Sequence, residues 1–509
     1  MRPPARPPWW LVALLVLVAF AFQGTRSIWE PDEGRYTGAG INMLESGDWL
    51  VPSIDGEHPH LTKPPIVYWA LASSFGLFGT NEWAARLPGA LAFVGTGLLV
   101  FGLGRRLVPA RPSLPALVWS LSLGPVIGAN VVSTDALLMF TETAAMLAFV
   151  EAWSRDGASR SRWAVAMWLA WGLAFMTKGP PALLPLLAMV AMLVVHDRRR
   201  LRGLFPAAGL ALFAVVGLTW FALIVRQDPD RLGYFLGYEV YDRIFTGTHD
   251  RNTRWYQAFE IYLPMLILGA LPWWPMALIG AGGPRAALDK LRARIAARDS
   301  GWLLLVYWFF VPLAIFFLSK SRLHLYLLPL FVPLSIMLAR ALAGWPWLHH
   351  RRLTAIAAAT AVVLVGLKGV ASHWPTDRDA RAMATAISEI IEPHSITEIV
   401  FVDMRGFHGL QMYLDVHIEN VRTGTQHRVV PARFVAEEDL CEEIAEHEDN
   451  VYALKEGRVP AFVDSMADCP GVQAERIGHF DGDGNRIALF VIKPVDAVLE
   501  QVPARAQKR

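Results

Sequence analysis

Apolar runs long enough to cross a bilayer recur along the first 372 residues of this 509-residue chain. A helix needs about 20 apolar residues to span the hydrocarbon core, and only helices and closed barrels satisfy their backbone hydrogen bonds there. The sequence therefore predicts a polytopic α-helical membrane protein with about eleven transmembrane helices. The runs lie at residues 9–25, 84–104, 113–130, 136–153, 163–178, 180–196, 204–225, 257–280, 301–318, 324–343 and 353–372.

Composition and missing motifs limit the possible function classes. Apolar residues make up 54% of the chain, mean hydropathy is +0.34 and the net charge is only +2. This balanced charge gives no basic footprint for nucleic acid, so no nucleic-acid partner is predicted. The sequence contains no Walker motif, no Gly-rich dinucleotide fingerprint and no Cys/His metal spacing. No cofactor is predicted, and a divalent metal has no support from ligand spacing.

The orientation of the spans follows from one short run, residues 66–79. It is too short for an ordinary span and rich in aromatic residues, so we interpret it as an interfacial helix. With this run excluded, the Arg clusters near residues 105, 155, 199, 292 and 351 fall on one side, which the positive-inside rule makes cytoplasmic. The first run is followed by Gln23-Gly24-Thr25-Arg26, a poor cleavage site, and is predicted to stay as an uncleaved span. These features predict a multi-pass membrane protein.

The chain changes character near His373, where apolar runs shorten and acidic residues become frequent. We predict a transmembrane domain at residues 1–372, with its first outer loop at about 26–83, and a soluble extracytoplasmic α/β domain at 373–509. In the latter, 379–391 reads as an amphipathic helix and 399–402 as a buried strand. Cys441 and Cys469 lie in this domain, where a disulfide and two free thiols are equally consistent with the sequence.

The predicted topology collects polar residues from five segments on the outer face. A mixture of cations and carboxylates at this level suits a lipid-phosphate sugar, because cations hold the phosphate and stabilise it as a leaving group, while a carboxylate can accept a proton. Charged groups near hydrocarbon are costly and so indicate function. The candidates are Asp32 and Asp135 for catalysis, and Glu33, Arg35, Tyr36, Lys63, Lys178, Glu239, Arg243, Lys320, Arg322 and Tyr326 for substrate binding.

Structural roles are possible for several of these candidates. Asp32 and Asp135 each stand where a helix is predicted to begin, so an N-cap role alone could explain either residue. Compensation of the helix dipole alone could explain Glu33. Lys178 and Lys320 end predicted spans, and extension of their ammonium groups toward the interface could by itself explain both residues. Lys63 follows no long span and precedes Pro64-Pro65, so a structural role is harder to find for it.

Four segments near the first outer loop form a distinctive series. They are Pro31-Asp32-Glu33-Gly34-Arg35-Tyr36, Met43-Leu44-Glu45-Ser46-Gly47-Asp48-Trp49, Lys63-Pro64-Pro65-Ile66-Val67-Tyr68-Trp69 and Asn81-Glu82-Trp83-Ala84-Ala85-Arg86-Leu87-Pro88. The series closely resembles the aminoarabinose transferases that modify lipid A, which are grouped with the protein O-mannosyltransferases in the GT-C superfamily. The strong part covers about residues 28–106. Weaker similarities occur at Ser133-Thr134-Asp135, Thr177-Lys178-Gly179-Pro180, Glu239 with Arg243, and Ser319-Lys320-Ser321-Arg322.

The resemblance implies an enzyme that transfers a sugar, with inversion, from a polyprenyl-phosphate donor. The acceptor would be a lipid A-like lipid, a glycan or a protein at the extracytoplasmic face. Asp32 would match the catalytic aspartate of the first loop, Asp135 the second acidic position and Lys63 the lysine that holds the donor phosphate, with Arg35, Tyr36 and Arg243 around it. Thr62 stands where these transferases often carry a Glu that can bind a metal. The alternative from a different class is a polyprenyl-phosphate or lipid transporter, which would bind the same head group without chemistry.

Overall fold

The computed structural model describes residues 6–56, 58–246, 251–394, 396–421, 440–446 and 450–494. Packing divides the chain into two compact units. The first unit comprises Met1–Thr25, Thr62–Val67 and Arg86–His373, and the second comprises Arg26–Leu61, Tyr68–Ala85 and Trp374–Arg509. Most of the first outer loop therefore packs in one unit with the C-terminal segment. The assignment of residues 1–372 and 373–509 to separate domains stays a prediction.

The long apolar helices make this a multi-pass membrane protein. Among the described residues, six helices are long and apolar enough to cross a bilayer: Glu82–Leu107, Thr134–Trp153, Ala207–Gln227, Ser300–Leu318, His324–Ala343 and His350–Ser372. A seventh candidate consists of Gln257–Gly269 and Trp273–Ala281, which meet at a 75° bend. Shorter apolar helices are Trp9–Phe20, Ile66–Phe78 and Pro180–His196. Each predicted run contains helix, but the number of about eleven spans stays a prediction.

One predicted span differs in detail from the structure. Residues 113–130 form two short helices, Leu114–Ser120 and Leu123–Ala129, rather than one. The second begins after Ser122 and carries Pro125 in its first turn, where a missing N–H costs no helical hydrogen bond. The run predicted at residues 66–79 is helical, as expected for a short interfacial segment. Its position relative to a membrane remains a prediction.

Further helices complete the first unit. They are Gly157–Lys178, Arg198–Leu201, Arg231–Gly233, Arg243–Phe245 and Pro284–Ala296, with a π-helical segment at Tyr234–Asp242. The core of this unit contains the fully buried indoles of Trp119, Trp171, Trp273 and Trp308. Large aromatic side chains contribute much of the buried apolar area of a core.

The second unit contains the helix Asp32–Ser46 and a five-stranded mixed sheet. The strands are β1 Glu398–Val402, β2 His417–Val421, β3 Asn450–Lys455, β4 Val472–Gly482 and β5 Asn485–Pro494. Their order is β2-β1-β3-β5-β4, with β1 parallel to β2 and β3, and with β5 antiparallel to β3 and β4. The expected α/β fold of this region is confirmed.

Local predictions in the sheet region also hold. The amphipathic helix is Ala380–Ile391, whose buried positions recur at Met383, Ile387 and Ile391 as helical periodicity requires. Two further helices are Leu440–Glu446 and Val459–Ser465. Cys441 and Cys469 form a disulfide with a Cα–Cα distance of 5.3 Å, so the question left open by the sequence is resolved in favour of the bond.

Candidate functional site

The first unit holds a mostly buried group of charges centred on Lys63 and Glu239, whose side chains are 14% and 12% exposed. The Nζ atom of Lys63 lies 3.7 Å from Oε2 of Glu239, and Nη2 of Arg243 donates to the same oxygen at 2.5 Å. Glu239 belongs to the π-helical segment, and Arg243 begins the short helix that follows it. A spacing of four residues puts the two side chains on one helical face. One carboxylate is therefore shared by two cations.

Burial makes the charge of Lys63 costly. Desolvation lowers its pKa well below the usual range, the cations Arg243, Lys178 and Arg251 lower it further, and Glu239 alone among its main electrostatic partners opposes them. The ammonium group also donates to its neighbour's carbonyl, the backbone oxygen of Thr62, at 2.6 Å. An anion placed here would restore the preference for the charged form.

Arg243 presents a second sign of an anion site. Burial opposes its charge, but Glu239 and Tyr326 more than offset this, so the pKa of Arg243 is raised. Its Nε atom is buried and makes no hydrogen bond to any part of the chain that the structure describes. A buried donor without a partner costs free energy that a ligand can recover.

Asp135 and Lys178 form a buried ion pair in the same unit. Ser133 is the N-cap of the helix Thr134–Trp153, and its hydroxyl accepts from the backbone N–H of Asp135. Asp135 is thus not the N-cap, and its carboxylate binds a cation instead. Lys178 lies with Nζ 4.5 Å from the ring centre of Tyr326, in cation–π geometry. Its ammonium group is therefore buried between a carboxylate and an aromatic ring.

The two remaining candidates of the first unit have other surroundings. Arg322 is buried, and its guanidinium donates to the backbone carbonyls of Asn252, Arg254 and Phe317 at 2.7, 3.0 and 3.2 Å. These bonds fix the loop that precedes the helix Gln257–Gly269. The side chain of Lys320 is exposed. Substrate-binding roles for both residues stay predictions, and the contacts of Arg322 favour a role in loop conformation.

Asp32 belongs to the second unit and is mostly exposed. Its side chain is 72% exposed and accepts a hydrogen bond from Nη2 of Arg35 at 2.5 Å. The N-cap position is occupied by Pro31, so Asp32 is the first helical residue and does not cap the helix. Arg35 has a buried Nε atom with no hydrogen-bond partner among the described residues. The structure therefore leaves the carboxylate of Asp32 open to a reactant.

Glu33 and Tyr36 have partners within the second unit. Glu33 is buried and binds Arg26 through two hydrogen bonds of 2.7 and 2.8 Å, with Arg26 lying 4.1 Å from the ring centre of Trp29. Tyr36 stacks on Tyr68 with ring centres 6.2 Å apart. These contacts build the loop around Asp32, and the substrate-binding role of both residues stays a prediction.

The structure thus brings six predicted residues together in the first unit: Lys63, Asp135, Lys178, Glu239, Arg243 and Tyr326. Sequence reasoning missed Glu142, which is buried in the helix Thr134–Trp153 and has Lys178 and Asp135 as electrostatic partners. The signal was available, because Glu142 is an acidic residue inside an apolar run, seven positions after Asp135 and on the same helical face.

Carboxylates that could hold a metal gather elsewhere in the described part of the chain. Oxygen atoms of Glu398, Glu419 and Glu443 lie within 4.8 Å of one another beside the sheet. At the position where aminoarabinose transferases often carry Glu, Thr62 offers no carboxylate, and its neighbour Lys63 is a buried cation. These two residues do not fit a divalent metal.

Comparison with solved structures identifies the fold. The chain aligns with ArnT from Cupriavidus metallidurans bound to undecaprenyl phosphate at a TM-score of 0.72 and 21% identity, covering 95% of this chain and 97% of that one. This chain therefore has the same fold as that protein. The apo form of the same protein gives the same TM-score and coverage.

Sequence comparisons agree with the resemblance to ArnT. The undecaprenyl phosphate-α-4-amino-4-deoxy-L-arabinose arabinosyl transferase of Edwardsiella ictaluri is 33% identical over 338 residues, which is 65% of this chain and 58% of that protein. A relative with the same description from Sodalis glossinidius is 34% identical and covers 62% and 55%. A family model described as dolichyl-phosphate-mannose-protein mannosyltransferase matches residues 62–222. The chain spans less than two thirds of these curated relatives, and the predicted resemblance to the aminoarabinose transferases is confirmed.

Proposed function

We propose that this protein transfers an aminosugar, with inversion, from an undecaprenyl-phosphate donor to a lipid A-like acceptor. The proposal rests on Lys63 and Arg243, which together are called the buried cation group. Lys63 and Arg243 share a single carboxylate, and Arg243 has an Nε donor with no partner in the described residues. A phosphate supplies the acceptor oxygens and negative charge that this arrangement lacks.

The comparisons support the choice of donor. The relatives are named for transfer of 4-amino-4-deoxy-L-arabinose from undecaprenyl phosphate, and the matching ArnT structure is described as bound to undecaprenyl phosphate. The lipid A-like acceptor follows from the resemblance of the first loop, with a glycan or protein as the other acceptors that GT-C enzymes suggest.

The cations would act on the leaving group. An acceptor oxygen forms a bond to the anomeric carbon, while the bond from that carbon to the phosphate oxygen breaks and its electron pair stays on undecaprenyl phosphate. Negative charge on the phosphate therefore grows in the transition state, where Lys63 and Arg243 stabilise it. Tyr326 and the Asp135–Lys178 pair would keep this charge group in place.

Asp32 would act on the acceptor. If the acceptor is a hydroxyl, the exposed carboxylate takes its proton as general base. If the acceptor is an ionised phosphate, it has no proton to lose, and Asp32 would orient it through Arg35. The hydrogen bond from Arg35 holds the carboxylate in a defined position for either role.

We assign the active site and the C-terminal segment to the extracytoplasmic side of a bacterial inner membrane. The Arg clusters support this orientation, and so does the Cys441–Cys469 disulfide, which is typical of an oxidising compartment. Reporter fusions at Arg199 and Arg292 should report cytoplasm, and a fusion at Asp464 should report the exterior. A cytoplasmic report at Asp464 would overturn the orientation.

A single-turnover assay tests the reaction itself. Purified protein in nanodiscs is mixed with undecaprenyl-phosphate aminoarabinose, labelled in the sugar, and with lipid A. Transfer predicts labelled lipid A and one equivalent of free undecaprenyl phosphate. A carrier for the same lipid would bind the donor but release no free undecaprenyl phosphate, and that result would replace the enzyme by the transporter.

A further inference from the structure

The backbone just before Asp32 is held by the C-terminal segment of its own compact unit. Trp29 and Asp379 form an antiparallel β-bridge. The N–H of Glu30 donates to the carbonyl of Arg378 at 2.9 Å, and the N–H of Ala380 donates to the carbonyl of Ile28 at 3.0 Å. The segment that leads into Asp32 is therefore fixed by residues about 350 positions later in the chain.

Glu30 strengthens this attachment from inside the unit. Its side chain is buried, and Oε1 accepts a hydrogen bond from the backbone N–H of Gly409 at 2.5 Å. Two glycines make room for the carboxyl group. A Cβ at Gly34 would lie 2.2 Å from Oε2, and a Cβ at Gly409 would lie 2.5 Å from Oε1. The space around this carboxyl group is thus closely matched to it.

A second attachment lies beside the first. The hydroxyl of Tyr413 accepts from the N–H of Ile28 at 3.0 Å and donates to Oε1 of Glu82 at 3.0 Å. Arg381 also binds Glu82, with Nε 3.1 Å from the same oxygen. Glu30 and Tyr413 therefore attach the segment before Asp32 to the C-terminal segment at two points.

We propose that the C-terminal segment positions Asp32 for transfer and that Glu30 is the positioning residue of this device. The inference rests on the proposed function, because it assigns Asp32 to the reaction. The carboxyl group of Glu30 touches neither reactant in this account. It fixes the turn at Pro31, from which the helix carrying Asp32 begins, and so determines where the Asp32 carboxylate points.

The protonation of Glu30 gives the device a pH dependence. Burial raises the pKa of Glu30 to about 8, with Glu33 and Asp32 adding to the effect, while the Gly409 hydrogen bond and Arg35 oppose it. Next to Gly409, burial lowers the pKa of His408 to about 4, so that ring is neutral at pH 7 and above. As pH rises through about 8, Glu30 loses its proton and a buried negative charge appears close to Asp32.

Two substitutions at Glu30 distinguish a positioning role of this residue from a purely structural role. Glu30→Ala removes the acceptor for the Gly409 N–H, and kcat should fall at least tenfold at every pH while KM for undecaprenyl-phosphate aminoarabinose stays within twofold. Glu30→Gln keeps an uncharged acceptor of the same shape. Its kcat at pH 7 should stay within threefold of the wild type. The wild-type kcat should fall above pH 8, because the charge that appears on Glu30 repels the nearby Asp32 carboxylate, and this fall should be absent in Glu30→Gln. Glu389→Ala, an exposed position on Ala380–Ile391, is the control and should change neither parameter.

Hydrogen exchange of the Gly409 amide supplies a readout that does not need transfer. It should be at least tenfold faster in Glu30→Ala than in the wild type or in Glu30→Gln. If the wild type transfers no sugar, the proposed function fails, whereas the exchange result still reports on the attachment. If the wild type is active, an unchanged kcat in Glu30→Ala would overturn the positioning role. If Glu30→Ala does not fold, an alkaline fall in kcat for Glu30→Gln equal to that of the wild type would overturn it.

Discussion

The two compact units handle their candidate charges in opposite ways. In the first unit, the side chains of Lys63, Lys178 and Arg243 are mostly buried and paired with carboxylates, so their geometry is fixed before any ligand arrives. In the second unit, the Asp32 carboxylate is exposed, and the fixed parts are the buried residues behind it, such as Glu30 and Glu33. The comparison shows that preorganisation can lie in the charged groups themselves or in the buried residues that hold a charged group in position. The first arrangement suits binding of an anion, and the second suits contact with a reactant that comes and goes.

The largest effect is expected at the exposed carboxylate. Asp32→Asn should lower the single-turnover rate at least 1,000-fold, because it removes the carboxylate that takes a proton from a hydroxyl acceptor or orients a phosphate acceptor. Binding of undecaprenyl phosphate should stay within twofold of the wild type. Glu45→Gln, which changes an exposed carboxylate on the same helix, should leave both values unchanged. Near-normal transfer by Asp32→Asn would remove Asp32 from the mechanism.

At the buried cation group, the effect should appear in both binding and rate. Lys63→Ala removes a contact to the donor phosphate that strengthens as the leaving group gains charge, which typically costs on the order of 2–4 kcal/mol, or about 30- to 1,000-fold in kcat/KM. Lys63→Arg should recover part of the loss, since the guanidinium fork differs from a point charge. Lys290→Ala, at an exposed lysine outside the group, is the control. Unchanged kinetics in Lys63→Ala would reduce Lys63 to a structural anchor.

Stability should distinguish the buried pair from an exposed one. Asp135→Ala leaves Lys178 buried without its carboxylate, and breaking such a pair typically costs about 3–5 kcal/mol in the free energy of unfolding. Asp289→Ala breaks an exposed pair with Arg292 and should not change the thermal unfolding midpoint measurably. Equal midpoints for both variants in nanodiscs would show that the Asp135–Lys178 pair does not hold the site together.

The smallest predicted effect is a pH dependence of binding. The pKa of Lys63 is lowered in the free protein, and a bound phosphate raises it, so binding takes up a proton between these two pKa values. Affinity for undecaprenyl phosphate should therefore fall as pH rises across that window, by at most about tenfold per pH unit for one proton. Lys63→Arg should lose this slope, because arginine stays charged. A slope that persists in Lys63→Arg would assign the proton to another group.

Sequence patterns predicted the parts of the molecule that depend on local chemistry. Apolar runs gave the helices, and periodicity gave the helix at 380–391 and strand β1. Asp135 and Lys178 were identified because charges at the edge of apolar runs are costly without a partner, whereas Lys63 was singled out because it follows no long span and precedes Pro64-Pro65. Which of them pair with each other depends on tertiary packing and could not be obtained from spacing.

Other features needed the fold itself. Arg322 resembles a ligand-binding residue in sequence, but its donors meet backbone carbonyls whose positions are set by a loop about 70 residues earlier. Glu30 was overlooked because its partner Gly409 lies 379 residues away and bonds through its backbone, which leaves no mark in a sequence pattern. The disulfide was open for the same reason, since a separation of 28 residues does not fix whether two cysteines meet.

Direct binding of undecaprenyl phosphate tests the central claim, that the buried cation group holds the donor phosphate while Asp32 serves the reaction. Microscale thermophoresis of the wild type, Lys63→Ala and Asp32→Asn in nanodiscs would compare the three dissociation constants. If this claim is right, binding is at least tenfold weaker for Lys63→Ala and unchanged for Asp32→Asn. Equal affinity of Lys63→Ala and the wild type would contradict it.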